Sequence, residues 1–191
     1  MLKFRVVSNG FGEDLIACKL IDALRQPGVE FDVFPLVGDG HQYIKRAFKP
    51  KLQQPLLPSG GFLIKLKDVL QDLRRGLILQ MFKQRRTIMD YPADYQLVVG
   101  DIYALLMASG SSIPTIFLPT AKSERAIPHW SIEFKIIKKC SDIVFPRDQE
   151  THQKMIHYGI QSHFFGNPMF DGMVSTTKQP EILTIGILPG S

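Results

Sequence analysis

Short runs of apolar and β-branched residues alternate with segments of helical periodicity along this chain. The strand-length runs are 3–7, 30–35, 96–99, 115–118, 142–145 and 162–165. The helical patterns are 13–24, 62–89, 102–108, 132–140 and 149–158. Strands that alternate with helices form a parallel sheet whose faces the helices cover. The sequence therefore predicts an α/β fold with a Rossmann-like parallel sheet, and a ligand site beyond the carboxyl ends of its strands.

The composition argues for a soluble globular chain. Hydrophobic residues make up 45% and charged residues 21% of the 191 residues, enough to bury a core. The longest apolar run, 102–108, falls far short of the ~20 residues that cross a bilayer, and the N-terminus lacks the layout of a signal peptide. Because Cys18 and Cys140 show no metal-ligand spacing and are too few for a disulfide framework, we expect a cytoplasmic protein.

The net charge of +5 is concentrated in the segment 62–89, which holds seven basic and two acidic residues. In the rest of the chain, basic and acidic residues are equal in number. On a helix, one apolar stripe of this segment would dock on a core, and a second set of apolar residues would project among basic ones. The residues of this second face are Ile64, Lys67, Arg74, Arg75, Ile78, Phe82, Arg85 and Arg86.

A basic face that also carries apolar side chains suits an anionic membrane surface, where each Lys or Arg contributes about 1 kcal/mol. The alternative is a solvated helix, broken near Gly76, whose apolar residues are covered by a loop or by a missing domain. Nucleic acid is a weaker third interpretation, because the charges form one patch without an aromatic stacking platform. We predict a peripheral membrane protein without a nucleic-acid partner.

The first strand leads into a glycine-containing turn, SNGFGED, that opens a helix. Gly10 and Gly12 allow close backbone approach, but the third glycine of dinucleotide-binding loops is absent. Glu13 and Asp14 occupy the positive helix N-terminus, where they would repel a pyrophosphate. The turn therefore disfavours an NAD site. It predicts either a stabilised first helical turn or a polar pocket floor in which Asn9, Glu13 and Asp14 bind sugar hydroxyls.

Charged residues also follow two later strands. Asp101 would accept a proton from a bound hydroxyl, or else cap the helix that follows it. Lys122 and Arg125 would bind a phosphate of an anionic substrate, or else belong to an ordinary mobile loop. The histidines and cysteines lack metal-ligand spacing, so no metal and no cofactor is expected. Nucleophile-elbow and phosphate-loop motifs are also absent, which removes the common hydrolases and P-loop enzymes.

A series of segments resembles the lipid-A-disaccharide synthase family, and more closely its divergent synthase-related branch found in cyanobacteria. In order, the segments are SNGFGEDLIA, LVGDG, LPSGG, VVGDIYAL, FPRDQETHQKM, FFGNPMFDGM and ILPGS. The resemblance implies a two-domain GT-B glycosyltransferase. Its N-terminal domain takes the acceptor at a membrane surface, and its C-terminal domain binds the nucleotide-sugar donor.

The end of the chain predicts the start of a second domain. Residues 1–171 would form the Rossmann-like acceptor domain and 172–181 a polar linker, while 182–191 would be the first strand of a missing donor domain. By resemblance, FFGNPMFDGM is the hinge into that domain. The residues assigned to the hinge are Gly166, Asn167, Pro168 and Asp171.

The resemblance implies an inverting, metal-independent transfer of an N-acetylglucosamine-type sugar from a UDP-sugar to a lipid-linked acceptor. Asp101 is the candidate base, and Asn9, Gly12 and Glu13 are carried over as acceptor contacts. By itself the acceptor half is expected to be inactive. The alternatives are a noncatalytic membrane-binding module that recruits a separate donor-binding chain and, less favoured, a flavodoxin-like nucleotide binder.

Overall fold

The computed structural model describes residues 1–52 and 77–171. Within these ranges the strands are β1 (Leu2–Ser8), β2 (Val29–Pro35), β3 (Tyr95–Gly100), β4 (Thr115–Pro119) and β5 (Ile143–Val144). The helices are α1 (Gly12–Leu24), α2 (His41–Ile44), α3 (Leu77–Asp90), α4 (Ile102–Ala108), α5 (Ser131–Cys140) and α6 (Gln149–His157). A 3-10 turn, Pro168–Phe170, follows them.

The strands form one parallel sheet in the order β2-β1-β3-β4-β5. From β1 the chain moves to β2 on one side, then crosses to β3 on the other side of β1. The loops that follow β1 and β3 therefore diverge, which creates a topological switch point where such sheets bind ligands. This topology confirms the predicted Rossmann-like α/β fold.

Alternating side chains along the strands build one core on each face of the sheet. Val6 packs with α1 on one face, whereas its neighbour Val7 belongs to the core with α3 to α6 on the other. Leu97 and Val98 divide between the faces in the same way. Burial of each such side chain contributes about 1.5–3 kcal/mol. Both faces of the central strands are covered, so their apolar residues point both ways, as at positions 6–7 and 97–99.

The predicted strand at 162–165 does not form. Ser162 makes only an isolated parallel bridge to Val144, and Phe165 is 85% exposed. Since β5 itself spans two residues, its outer edge offers no ladder along which a further strand could extend.

Several predictions fall outside the residues that the structure describes. They are the linker and new strand at 172–191 and the membrane-face residues Ile64, Lys67, Arg74 and Arg75. Among the helices of 1–52 and 77–171, none combines the length and hydrophobicity needed to cross a bilayer.

Candidate functional site

The turns after β1, β3 and β4 meet at the carboxyl edge of the sheet. The backbone N–H of Asn9 donates to the carbonyl oxygen of Val99 over 3.3 Å. The backbone N–H of Thr120 donates to the carbonyl oxygen of Gly100 over 2.9 Å. These bonds continue the strand pairing into the turns. The sheet therefore fixes the backbone positions from which the side chains of the turns project.

Glycines allow the turns to approach one another closely. Gly10 has a φ of +122°, and a Cβ there would lie 2.5 Å from the carbonyl oxygen of Val37. Gly100 has a φ of +152°, and a Cβ there would lie 2.9 Å from the amide carbon of Asn9. By contrast, a Cβ at Gly12 would meet nothing within 4 Å. Of the two glycines predicted in the first turn, only Gly10 is thus required by space and backbone conformation.

An unpaired polar atom and a strained backbone conformation in the first turn point to a ligand. The Oδ1 atom of Asn9 is buried and has no hydrogen-bond partner in the described part of the chain. Leaving a buried acceptor unpaired costs about 1–3 kcal/mol. Phe11 is exposed and has a φ of 46°, a conformation that is strained for a bulky side chain. Strain of this kind gathers at binding sites.

Glu13 reaches from the start of α1 across the edge to the end of β4. Its Oε1 atom accepts a hydrogen bond of 3.1 Å from the Thr120 hydroxyl. The carboxylate is half-buried and lies at the switch point between β1 and β3. The structure therefore places Glu13 at the carboxyl edge of the sheet, and its role in a pocket floor stays a prediction.

Asp14 points into the interior and is 2% exposed. Its Oδ1 atom accepts a 2.6 Å hydrogen bond from the Ser8 hydroxyl, which lies 2.7 Å from the hydroxyl of buried Tyr43. Burial raises the pKa of Asp14 to about 7; the charges of Glu13 and Asp39 add to the shift, and the Ser8 hydrogen bond opposes it. Asp14 thus joins a buried hydrogen-bond chain instead of lining the pocket.

Asp101 caps α4, which is one of its two predicted roles. Its Oδ1 atom accepts a 3.1 Å hydrogen bond from the backbone N–H of Ala104. The same residue lines a cavity of about 150 Å³ between the ends of β3 and β4 and helix α5. The second carboxylate oxygen makes no hydrogen bond within 1–52 and 77–171. Capping therefore leaves one oxygen to meet a ligand.

The lining of the cavity combines apolar and polar side chains. Ile102, Phe117 and Ile137 are apolar. The polar lining residues are Asp101, Lys122, His129 and Glu133. A larger depression of about 650 Å³ lies at the opposite end of the strands, around Met1 and Tyr95. It is open to solvent and lies away from the switch point, so we take the carboxyl edge as the site.

Lys122 and Arg125 occupy different surroundings. The Lys122 ammonium lies 2.7 Å from the Glu133 carboxylate and 4.5 Å from the ring centre of Trp130. Arg125 pairs with Glu150 over 3.3 Å on the exposed side of the loop and does not line the cavity. Only Lys122 of the two predicted anion-binding residues thus reaches the cavity, with its charge balanced by Glu133.

Glu124 and His129 lie in the same loop as Lys122 and Arg125, and no role was predicted for them. In the structure, the Glu124 carboxylate binds both the backbone N–H and the ring Nδ1 of His129. It also lies 2.5 Å from the Lys154 ammonium. Arg147, three residues after the end of β5, was missed as well and donates to the carbonyl oxygen of Thr120 over 2.8 Å. Its place after a strand end was the available signal.

Helix α3 carries the described part of the predicted membrane face. Phe82 is 67% exposed, and Lys83 and Arg86 are exposed with it. Arg85 instead donates to the carbonyl oxygen of Leu106 over 2.6 Å at the end of α4. The side chain of Ile78 lies outside the described residues. The exposed basic face of α3, as described, therefore consists of Phe82, Lys83 and Arg86.

The predicted hinge residues form a capped turn against α1. Asn167 caps the 3-10 turn by accepting a 3.0 Å hydrogen bond from the N–H of Met169. The Lys19 ammonium donates to the carbonyl oxygens of Pro168 and Asp171. Gly166, with a φ of +107°, precedes the turn in open space. A movement at these positions remains a prediction.

Searching 1–52 and 77–171 for three or more histidine, cysteine, aspartate or glutamate residues grouped to hold a metal ion finds none. No protein-family model matches the chain, and no curated protein matches it significantly.

The chain is similar to solved structures of sugar-nucleotide enzymes. The UDP-GlcNAc 2-epimerase of Neisseria meningitidis, bound to UDP-GlcNAc, is 12% identical with a TM-score of 0.56, over 90% of this chain and 47% of that chain. The Rickettsia bellii UDP-N-acetylglucosamine 2-epimerase is 16% identical with a TM-score of 0.57, over 88% and 46%. MnaA of S. aureus, solved with UDP, is 14% identical with a TM-score of 0.56, over 95% and 50%.

The present chain spans about half the length of these solved structures. At such identities the likeness shows the fold. It is a Rossmann-like α/β domain with the architecture of one half of a GT-B fold.

Proposed function

We propose that this chain is the acceptor-binding half of an inverting, metal-independent GT-B glycosyltransferase that resembles the lipid-A-disaccharide synthases. The donor is a UDP-sugar bound by a second domain, and the acceptor is lipid-linked. The observation that carries the proposal is that Asn9, Glu13 and Asp101 all lie in turns at the carboxyl edge of the sheet, beside its switch point.

The chemistry of the first turn favours an acceptor sugar over a nucleotide. Glu13 places a carboxylate near the N-terminus of α1, where a diphosphate would otherwise bind. Hydroxyl groups of a sugar can donate to that carboxylate and to the unpaired Oδ1 of Asn9. A neutral polyol therefore satisfies the turn, whereas a diphosphate is repelled.

Asp101 is the proposed base. Its capping bond to Ala104 fixes the side chain, and its other oxygen takes the proton of the acceptor hydroxyl. As this proton leaves, the hydroxyl oxygen bonds to the anomeric carbon of the donor. The carbon–oxygen bond to the diphosphate breaks on the opposite face, so the anomeric configuration inverts. Removal of the proton in the transition state is worth about 10²–10⁴ in rate.

A second candidate is a noncatalytic module that binds an anionic membrane and recruits a separate donor-binding chain. The exposed basic face of α3 favours this candidate, because an exposed phenylalanine beside basic residues suits a lipid headgroup layer. Both candidates use the same membrane surface. They differ in whether the carboxyl edge binds a sugar.

Binding measured by NMR separates these candidates. The chain is titrated in turn with a glycolipid that carries N-acetylglucosamine, in detergent micelles, and with UDP-GlcNAc. An acceptor domain should show changes at Asn9, Glu13 and Asp101 with the glycolipid and weak or no binding of the nucleotide-sugar. Preferential binding of UDP-GlcNAc at the first turn would contradict the acceptor role. Membrane binding without any sugar response would favour the recruiting module.

A further inference from the structure

The Glu124 carboxylate determines which nitrogen of His129 carries the proton. Its Oε1 atom lies 2.7 Å from the backbone N and 2.9 Å from the ring Nδ1 of His129. A carboxylate only accepts hydrogen bonds, so Nδ1 must be the donor. The neutral imidazole then has an unprotonated Nε2, which is a hydrogen-bond acceptor.

Glu124 is held as a carboxylate by its surroundings. The Glu124 and His129 side chains are 8% and 3% exposed. Burial by itself would raise the pKa of Glu124, but the hydrogen bonds from Lys154 and His129 lower it below its ordinary value. The carboxylate therefore keeps its charge and the imidazole keeps its orientation. This support leaves the ring little freedom to turn.

His129 is also part of the wall of the cavity that Asp101 and Lys122 line. Within 1–52 and 77–171, its Nε2 atom makes no hydrogen bond. The cavity has a volume of about 150 Å³. An apolar cavity of about this size holds benzene, so this cavity has room for the ring itself and not for a whole substituted sugar.

The polar groups of the cavity select a neutral ligand rich in donors. Asp101 contributes a carboxylate oxygen and His129 an imidazole acceptor, while the charge of Lys122 is balanced by Glu133. An anionic ring would face Asp101 and Glu133, and among the described residues that line the cavity no unpaired positive charge offsets them. Ring hydroxyls, in contrast, donate to both acceptors and accept from Lys122.

We propose that this cavity binds a neutral, hydroxylated six-membered ring, and that His129 is a contact that selects it, by accepting a hydrogen bond from one ring hydroxyl through Nε2. Asp101 meets a neighbouring hydroxyl of the same ring. Glu124 is a positioning residue that acts through His129. The proposal rests on the acceptor function proposed above and names the part of the acceptor that enters the fold.

The test is an NMR titration of this chain with N-acetylglucosamine and its deoxy analogues. His129→Asn keeps an amide near the Nδ1 position, where it can still donate to Glu124, and removes the acceptor at Nε2. We expect this variant to bind the sugar about threefold to tenfold more weakly, the effect of one neutral hydrogen bond. The deoxy analogue that lacks the bonded hydroxyl should bind both proteins equally. His157→Asn, on the exposed side of α6, is the matched control.

Ring-nitrogen shifts test the role of Glu124 separately. In the unsubstituted chain His129 should be protonated at Nδ1, and its Nε2 resonance should move when the sugar binds. Glu124→Ala should allow the proton of His129 to occupy either ring nitrogen. Glu124→Gln should keep the proton on Nδ1, because the amide oxygen still accepts a hydrogen bond from it. This measurement on the unsubstituted chain decides the matter even if His129→Asn does not fold.

Three results would overturn the proposal. Sugar-induced changes at Glu13 and Asp101 with an unmoved Nε2 resonance would remove His129 and leave the acceptor function standing. Tighter binding of glucuronate than of neutral sugars would remove the preference for a neutral ring. No response anywhere on the carboxyl edge, at sugar concentrations of tens of millimolar, would remove this cavity and the acceptor function together.

Discussion

The Thr120 hydroxyl donates to the Glu13 carboxylate over 3.1 Å although the two residues are 107 positions apart in the sequence. This bond closes the carboxyl edge between the start of α1 and the end of β4. A ligand at the switch point would meet a carboxylate whose position is already fixed. Fixed polar groups bind better because little side-chain freedom remains to be lost on binding.

Glu13→Gln should weaken binding of an acceptor sugar and leave the fold intact. The amide oxygen can still accept from Thr120, but hydrogen bonds to a charged carboxylate are about twice as strong as neutral ones. We expect a loss of about threefold to tenfold in affinity, measured by NMR titration with N-acetylglucosamine. Glu30→Gln, on the exposed part of β2, is the control. Equal affinities of the two variants would remove Glu13 from the site.

Asp14 should make the stability of the chain fall as pH rises. Its pKa is about 7 in the fold against an ordinary 3.8, so between these values the folded state binds the extra proton. Its contribution is fully present below pH ~4 and is lost as pH rises through ~7. The change should be on the order of 2–4 kcal/mol in the free energy of unfolding.

Urea unfolding at pH 5 and pH 8 checks this contribution. Asp14→Asn keeps an acceptor for the Ser8 hydroxyl and carries no titrating group. The variant should lose most of the pH dependence and be more stable than the unsubstituted chain at pH 8. If both proteins respond equally to pH, another group is responsible.

The burial of Asp14 was available in the sequence, whereas the pairing of Glu124 with Lys154 was not. Asp14 precedes Ala17, Cys18 and Ile21 at the spacing that places all four on the buried face of α1. Because Asp14 is acidic and lies at the start of the helix, we assigned it to the helix N-terminus or to a pocket floor, and its place on the buried face was overlooked. Glu124 and Lys154 come together only because α6 packs beside the loop after β4, which no local pattern encodes.

In the fold as well, features that follow from local sequence patterns were predicted, and a feature that depends on a neighbouring element was not. The short apolar, β-branched runs and the helical patterns between them predicted the parallel sheet, because both kinds of element follow from local sequence patterns. The run at 162–165 has the composition of a strand, yet strand formation also depends on a neighbour long enough to pair with. In place of a strand, the rings of His163 and Phe165 stack on each other, and the ring of Phe145 lies tilted against both.

Gly10→Ala should destabilise the fold and Gly12→Ala should leave it almost unchanged, although the two positions lie two residues apart. The Cβ of an alanine at position 10 would lie 2.5 Å from the Val37 carbonyl oxygen, at a φ of +122°. We expect the free energy of unfolding to fall by about 1–3 kcal/mol. At position 12 the new methyl group meets nothing within 4 Å, so the change should stay within about 0.5 kcal/mol. Chemical denaturation of the two variants checks the difference; equal losses would contradict the close approach of the turns.

Charge reversal on α3 should separate membrane binding from folding. Arg86→Glu should weaken sedimentation with anionic vesicles about tenfold or more, because each basic residue contributes about 1 kcal/mol and the reversal adds repulsion. Arg85→Glu should mainly reduce stability, because it removes the bond to the Leu106 carbonyl. Lys139→Glu, exposed on α5, matches the change in charge and should bind vesicles normally. Unchanged vesicle binding by Arg86→Glu would argue for a solvated helix.

Substitutions of Asp101 should separate its capping role from its proposed role as base. Asn is as good a helix cap as Asp, so Asp101→Asn should keep the bond to Ala104 and the thermal stability. Asp101→Ala removes the cap and should cost about 0.5–2 kcal/mol. When the chain acts together with a donor-binding domain, both variants should lose about 10²–10⁴ in the rate of sugar transfer, because neither can take the acceptor proton. The rate is measured from UDP release at saturating acceptor. Near-normal turnover by Asp101→Asn would leave the cap as the function of this residue and would require another base on the carboxyl edge.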